Sequence, residues 1–218
     1  MPIDAIVDLR GQFGPARDQQ QRPTCMAFAA SDGHAAARSK VETLSTEFAY
    51  FHAVRRRQPF DPHSGVFFNI MAQSIQEDGQ PPEPMWPYLP SLPANIGEWK
   101  PPNDCKPIFR RQYQIEQPAV ERVYEYLRNL RPVVITMTIS PSFFRPSQEG
   151  VIDANPTEAG VNSHAVVAVG YGKTQQSHAV LVRNSWGNRW GLGGHAWVTD
   201  DYLRPRMLEI GTAALKES

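Results

Sequence analysis

Only two cysteines, Cys25 and Cys105, occur in 218 residues, and no Asn-x-Ser/Thr acceptor with an allowed middle residue accompanies them. A secreted domain stapled by disulfides is therefore not expected, and a reducing compartment is. A single Cys25–Cys105 disulfide stays open at this level, although it would consume both thiols. Surplus charge is lacking too: 22 basic residues balance 22 acidic ones, so no long-range field gathers nucleic acid or an anionic membrane. Neither is expected as a partner. Also missing are a basic-then-apolar leader, any run of about 18 apolar residues, any internal repeat, and the C-x-x-C or H-E-x-x-H spacings of zinc sites. The expectation is a cytoplasmic protein, or one delivered into a target cell, with no metal and no other cofactor.

What is present suits one compact enzyme-sized unit. Hydrophobic residues make up 41% of the chain, enough for one large core or two small ones sharing an interface. The run Thr24-Cys-Met-Ala-Phe-Ala-Ala-Ser-Asp-Gly-His-Ala-Ala-Ala-Arg38 follows Pro23 and is rich in small residues, which predicts a closely packed, buried helix with Thr24 as its N-cap. Cys25 then lies in the first turn. Phe67, Ile70, Met71 and Ile75 recur at helical spacing and predict a helix from Val66 to Glu77, stopped by Asp78-Gly79. Residues 81–102 hold eight prolines together with Trp86, Tyr88 and Trp99; aromatic rings need somewhere to bury, so this segment reads as an ordered surface wrap.

Val120, Val123, Tyr124 and Leu127 give one more amphipathic helix, after which strands dominate: 132–139, 165–169, 179–183 and 195–199, separated by glycine-rich turns. A helical half followed by an antiparallel β half predicts an α+β fold of two subdomains with a cleft between them. We place the helical part at roughly 11–116 and the β part at 117–208 within one domain, 1–218, with the termini crossing between the two.

Four residues on separate segments have the side chains that thiol acyl transfer needs. A cysteine in the first turn of a helix gains from the partial positive charge there, and a neighbouring imidazolium favours its thiolate further. His164 opens the run Ser163-His-Ala-Val-Val-Ala-Val-Gly-Tyr-Gly172, where a strand would mount the ring rigidly for proton transfer. Asn184 can accept the other ring proton and orient the imidazole. Gln19 can donate its amide to the oxyanion, with the Cys25 N–H as second donor. Each alone has a plainer reading: Cys25 as inert core, His164 as a structural strand histidine, Asn184 as a turn residue, Trp186 and Trp190 as core. Their joint presence argues against those readings. His34, His52, His63, His178 and His195 keep the structural default, Cys105 reads as a free thiol, and Gly172-Lys-Thr174 reads as a hairpin turn because Val167 stands where a phosphate loop needs glycine.

The segments Gln19-Gln-Gln-Arg-Pro-Thr-Cys-Met-Ala-Phe28, His164-Ala-Val-Val-Ala-Val-Gly-Tyr-Gly172 and Arg183-Asn-Ser-Trp-Gly-Asn-Arg-Trp-Gly-Leu-Gly-Gly194 are together similar to the motifs of papain-like cysteine peptidases. The 139 positions from Cys25 to His164 match the separation such peptidases use. The resemblance implies a papain-like fold, a helical left subdomain and an antiparallel β-barrel-like right subdomain with the active site in the cleft. It also implies an endopeptidase acting through Cys25, His164, Asn184 and Gln19, with a peptide or protein as substrate.

Thiol acyl transfer, deamidation, or a silent binding module on the same fold remain the alternatives. By the same resemblance Gly65 would pair with the substrate backbone. Val66, Phe67, Thr136 and Ala165 would form the pocket for the second residue before the cut, with an apolar preference, and Trp186 would shield the His164–Asn184 bond. Four positions depart from the family pattern: Arg22 replaces a usual cysteine and Met26 a usual aromatic residue, so the usual disulfides cannot form, and Pro23 and Thr24 stand where small residues are usual. With no pro-segment ahead of Ile6-Val-Asp-Leu9, restraint is expected from an inhibitory or immunity-type protein partner, from delivery, or from a larger parent protein.

Overall fold

The structure, a computed structural model, describes residues 3–38, 42–174 and 177–216. Helix α1 (Cys25–Ala37) is buried along nearly its whole length, from Met26 to Ala36, as expected for a helix whose small side chains let neighbours approach on every side. Helix α2 (Thr46–Arg55) starts at Ser45, whose Oγ accepts the Phe48 N–H at 3.1 Å and donates to the Trp86 carbonyl at 2.6 Å. Helix α3 (Phe68–Glu77) begins later than the expected Val66. Phe67 is its extended N-cap (φ −73°, ψ 156°). After Asp78 the chain turns at Gly79 (φ +77°), where a Cβ would lie 2.5 Å from the Phe109 carbonyl oxygen; only glycine fits there. The proline-rich wrap is ordered as predicted: Trp86 and Trp99 are buried and meet Phe51 of α2 edge-on at 5.5 and 5.1 Å.

The second half supplies a sheet. Its strands are β1 (Asp4–Asp8), β2 (Tyr113–Glu116), β3 (Val133–Ile139), β4 (Val151–Ile152), β5 (Asn162–Lys173), β6 (His178–Arg183), β7 (His195–Thr199) and β8 (Met207–Ala213). They run in the order β2-β8-β3-β5-β6-β7-β4, with β1 added on β5. All pairs are antiparallel except β4 with β7. Apart from β1, the strands of the sheet lie between Tyr113 and Ala213. β5 is the hub: it pairs with β3 along its first part and with β6 and β1 along its second. Its glycines are dictated by that crossing, since a Cβ on Gly170 would meet the Val7 carbonyl at 2.4 Å and one on Gly172 the Asp4 carbonyl at 2.6 Å. The N-terminal segment thus crosses to the β half and is clamped there.

Alternation along the strands divides the core in two. Val134, Ala165, Val167 and Val169 face α1, α2 and α3 with Met26, Phe48, Tyr50, Phe68 and Met71. Val133, Ile135, Met137, Val166 and Ala168 face the other way, onto Val120, Val123 and Leu127 of α4 (Val120–Arg128) and Tyr202 of α6 (Asp200–Leu203). The cleft opens where α1 meets the His164 end of β5. Both cysteines are free thiols.

Candidate active site

Cys25 is the first residue of α1 and is partly exposed. Thr24 occupies the N-cap position, but its side chain does not cap the helix. Thr24 Oγ is instead 2.9 Å from the Tyr88 hydroxyl, which donates to the Gln19 carbonyl at 2.7 Å. A ring from the proline-rich wrap therefore pins the loop that carries Gln19 and Cys25. Beneath that loop, Arg22 donates from both terminal nitrogens to the Glu47 carboxylate of α2, at 2.6 and 3.0 Å. Glu47 also accepts Trp99 Nε1 at 2.6 Å and the Leu89 N–H at 3.0 Å. Arg22 thus holds the loop by charge and hydrogen bonds.

His164 sits near the start of β5. Its Nε2 lies 2.7 Å from Asn184 Oδ1, which also accepts the Ser185 N–H at 2.8 Å. A carbonyl oxygen only accepts, so Nε2 carries the proton and a neutral ring leaves Nδ1 with its lone pair. The turn bearing Asn184 is held by its N–H to the Gly194 carbonyl at 2.9 Å. Trp186 lies against the His164 ring, centroids 4.7 Å apart, and Phe143 approaches it edge-on at 5.8 Å. Phe143 and Phe144 come from α5 (Pro141–Phe144), with Phe144 stacked on Trp186 at 5.2 Å. These rings pack together on one side of His164.

Gln19 is buried, and its amide is fixed at both ends: Nε2 donates to the Arg22 carbonyl at 2.8 Å and Oε1 accepts from Ser185 Oγ at 2.7 Å. One N–H of the side chain is already used; one remains. Behind it, Asp32 of α1 joins the three segments. It accepts from Arg17 Nη2 at 3.0 Å and from Arg183 Nε at 2.7 Å. The helix of Cys25, the loop of Gln19 and the turn of Asn184 are therefore tied to one carboxylate.

Cys25 and His164 line one cavity of about 280 Å³, together with Gly65, Val66, Phe67, Thr136 and Ala165. Every expected pocket residue is there except Trp186, which stands behind His164. The cavity also takes in Met26, Phe68, Ser163, Leu208 and Glu209, which sequence reading did not find; Leu208 and Glu209 lie far along the chain and arrive through strand pairing alone. A larger hollow of about 480 Å³ at the other end of α1 holds neither cysteine nor histidine.

Burial pushes the Cys25 thiol up, while the backbone N–H groups of Ala165, Met26 and Cys25 itself pull it down. Burial likewise holds His164 down, to about 4, against the Asn184 bond, which raises it. Each group by itself is thus favoured neutral. A thiolate–imidazolium pair needs both charges at once, each offsetting the other's lost hydration, and it titrates as a unit. The helix N-terminus alone does not supply the thiolate.

A family model described as papain family cysteine protease matches residues 3–210. Falcipain-3 of Plasmodium falciparum is 25% identical over 237 aligned positions, covering 98% of this chain and 46% of that protein. A cysteine protease of Blomia tropicalis is 37% identical over 82 residues, 38% of this chain and 25% of its own. The chain spans less than half the length of these two curated relatives. Among solved structures, xylellain, a cysteine protease from Xylella fastidiosa, superposes with a TM-score of 0.80 at 19% identity, covering 97% of this chain and 86% of that one. On the match across nearly its whole length, the chain belongs to the papain family of cysteine proteases.

Proposed function

We propose that the chain hydrolyses peptide bonds within a peptide or protein substrate, as an endopeptidase, with Cys25 as nucleophile and His164 as its acid–base partner. The observation that carries this reading is the cavity common to Cys25 and His164, with Nε2 of the ring committed to Asn184 and Nδ1 left for the thiol. Cys25 Sγ bonds to the substrate carbonyl carbon while its proton resides on His164. The oxyanion accepts the free Gln19 N–H and the Cys25 backbone N–H, a contribution of about 3 kcal/mol in comparable sites. The C–N bond then breaks, His164 passes its proton to the departing amine, and a thioester remains. Water, deprotonated by His164, displaces the thiol and releases the acid. Gly65, Val66, Phe67, Thr136 and Ala165 hold the substrate on the acyl side, and Trp186 keeps the His164–Asn184 bond dry. We read the chain as one peptidase domain whose helical part and sheet meet at this cavity.

Two measurements test the proposal. An epoxide or vinyl-sulfone inhibitor is expected to modify Cys25 in preference to Cys105, with Cys25→Ala as control; equal or reversed labelling overturns the activated thiol. A peptide-library digest read by mass spectrometry is expected to show internal cuts that Cys25→Ala lacks. Intact peptides carrying new acid or amide groups would instead mark deamidation or acyl transfer.

A further inference from the structure

The oxyanion of the proposed mechanism has two donors, and they stand at the two ends of one loop: the Gln19 side-chain amide at its start and the Cys25 N–H at its finish. On the inside of the loop one carbonyl serves both ends. That of Arg22 accepts Gln19 Nε2 at 2.8 Å and the Thr24 N–H at 2.8 Å. The backbone does not rest there without help, because Gln20 takes φ +55°, a left-handed conformation adopted without a glycine.

On the outside a single hydroxyl meets both ends. Tyr88 Oη donates to the Gln19 carbonyl at 2.7 Å. Its one proton is thereby used, so at the 2.9 Å contact with Thr24 it accepts, and Thr24 Oγ donates. Burial raises the pKa of the phenol, which keeps that proton in place. The ring is fixed by other contacts: it meets Phe28 of α1 edge-on at 4.8 Å and lies 5.1 Å from the Arg22 guanidinium, and the Tyr88 N–H donates to the Glu83 carboxylate at 2.8 Å. The hydroxyl is therefore a point set against the body of α1, from which the peptide groups at both ends of the loop hang.

We propose that Tyr88 is a positioning residue whose hydroxyl sets the spacing of the two oxyanion donors, acting through Gln19 and Thr24. Tyr88 itself does not line the cavity of Cys25 and His164. A displacement of about 1 Å in a catalytic arrangement can cost about 10²-fold in rate, so the hydroxyl bears on turnover rather than on substrate affinity or thiol reactivity. The proposal rests on the peptidase reading above.

Tyr88→Phe removes one oxygen and keeps the ring contacts. With a peptidyl amide substrate this variant is expected to show kcat about tenfold lower and KM unchanged. Alkylation of Cys25 by iodoacetamide, a displacement at a methylene carbon that forms no oxyanion, is expected to keep its rate. Thr24→Val, which breaks the other hydrogen bond, is expected to give the same split. In a Gln19→Ala background Tyr88→Phe is expected to lower kcat by about twofold or less, since the group through which it acts is gone. Equal losses in hydrolysis and alkylation, a loss that persists in full in Gln19→Ala, or no loss in either Tyr88→Phe or Thr24→Val overturns the positioning role while the peptidase reading stands. Absence of Cys25-dependent hydrolysis by the unaltered protein overturns the peptidase reading, and this proposal with it.

Discussion

His164 and Asn184 share one hydrogen bond but not one task. In the proposed mechanism the ring moves protons, whereas the amide fixes its tautomer and angle, so removing the ring removes a chemical step and removing the amide loosens its geometry. We expect His164→Ala to lower turnover by about 10²–10⁴-fold, and Asn184→Ala by far less, because Trp186 and Phe143 still hold the ring. Turnover numbers for the two variants decide this; the reverse order would reassign both roles. The four residues of the proposed chemistry can be picked out of the sequence because each has a distinctive side chain inside a recognisable local run. Phe143, Phe144 and Ser185 are less legible: they act by touching residues remote in sequence, and nothing in their own neighbourhood signals the contact.

At the scale of elements, α1 and β5 are readable in advance because their patterns are strong: small residues throughout the one, a continuous apolar run in the other. The arrival of Leu208 in the cavity is not readable, since it depends on how β8 registers with β3. The side-chain role of Thr24 also misleads, because a hydroxyl offered a phenol partner need not cap its own helix. Arg22 is the more consequential case. Read as a missing cysteine, it is in the structure the donor of a buried ion pair with Glu47, with the Tyr88 ring 5.1 Å from its guanidinium. Removing one partner strands a buried charge, so Arg22→Met is expected to cost about 3–5 kcal/mol of stability. Arg22→Met combined with Glu47→Leu is expected to recover a large part of that loss in denaturant midpoint. A double variant no more stable than Arg22→Met would show that the pair is not the unit of stability.

For the whole molecule, two buried histidines outside the candidate site set an acid limit. Burial holds His34 at about 3 and His195 at about 4, against an ordinary value of 6.5. As pH falls below 6.5 the unfolded chain takes up protons that the folded one refuses. The stability these groups contribute is therefore full above 6.5 and is lost progressively down to about 4, and to about 3 for His34. The slope is about 1.4 kcal/mol per pH unit for each histidine. Urea midpoints at pH 7 and pH 5 are expected to show the decline, and His34→Gln to make it shallower; a midpoint flat over that interval would contradict it. The fold class was legible because helices precede strands along the chain, while the crossing of β1 onto β5 emerges only once Gly170 and Gly172 are seen against its backbone. The Arg22–Glu47 fastening has one more consequence, for redox conditions. A nucleophilic thiol works only while reduced, and a reductant that protects it would also open any disulfide holding the neighbouring loop. Here the loop is fastened by opposite charges, which no thiol reagent cleaves. The conditions that keep Cys25 reactive therefore leave its support in place.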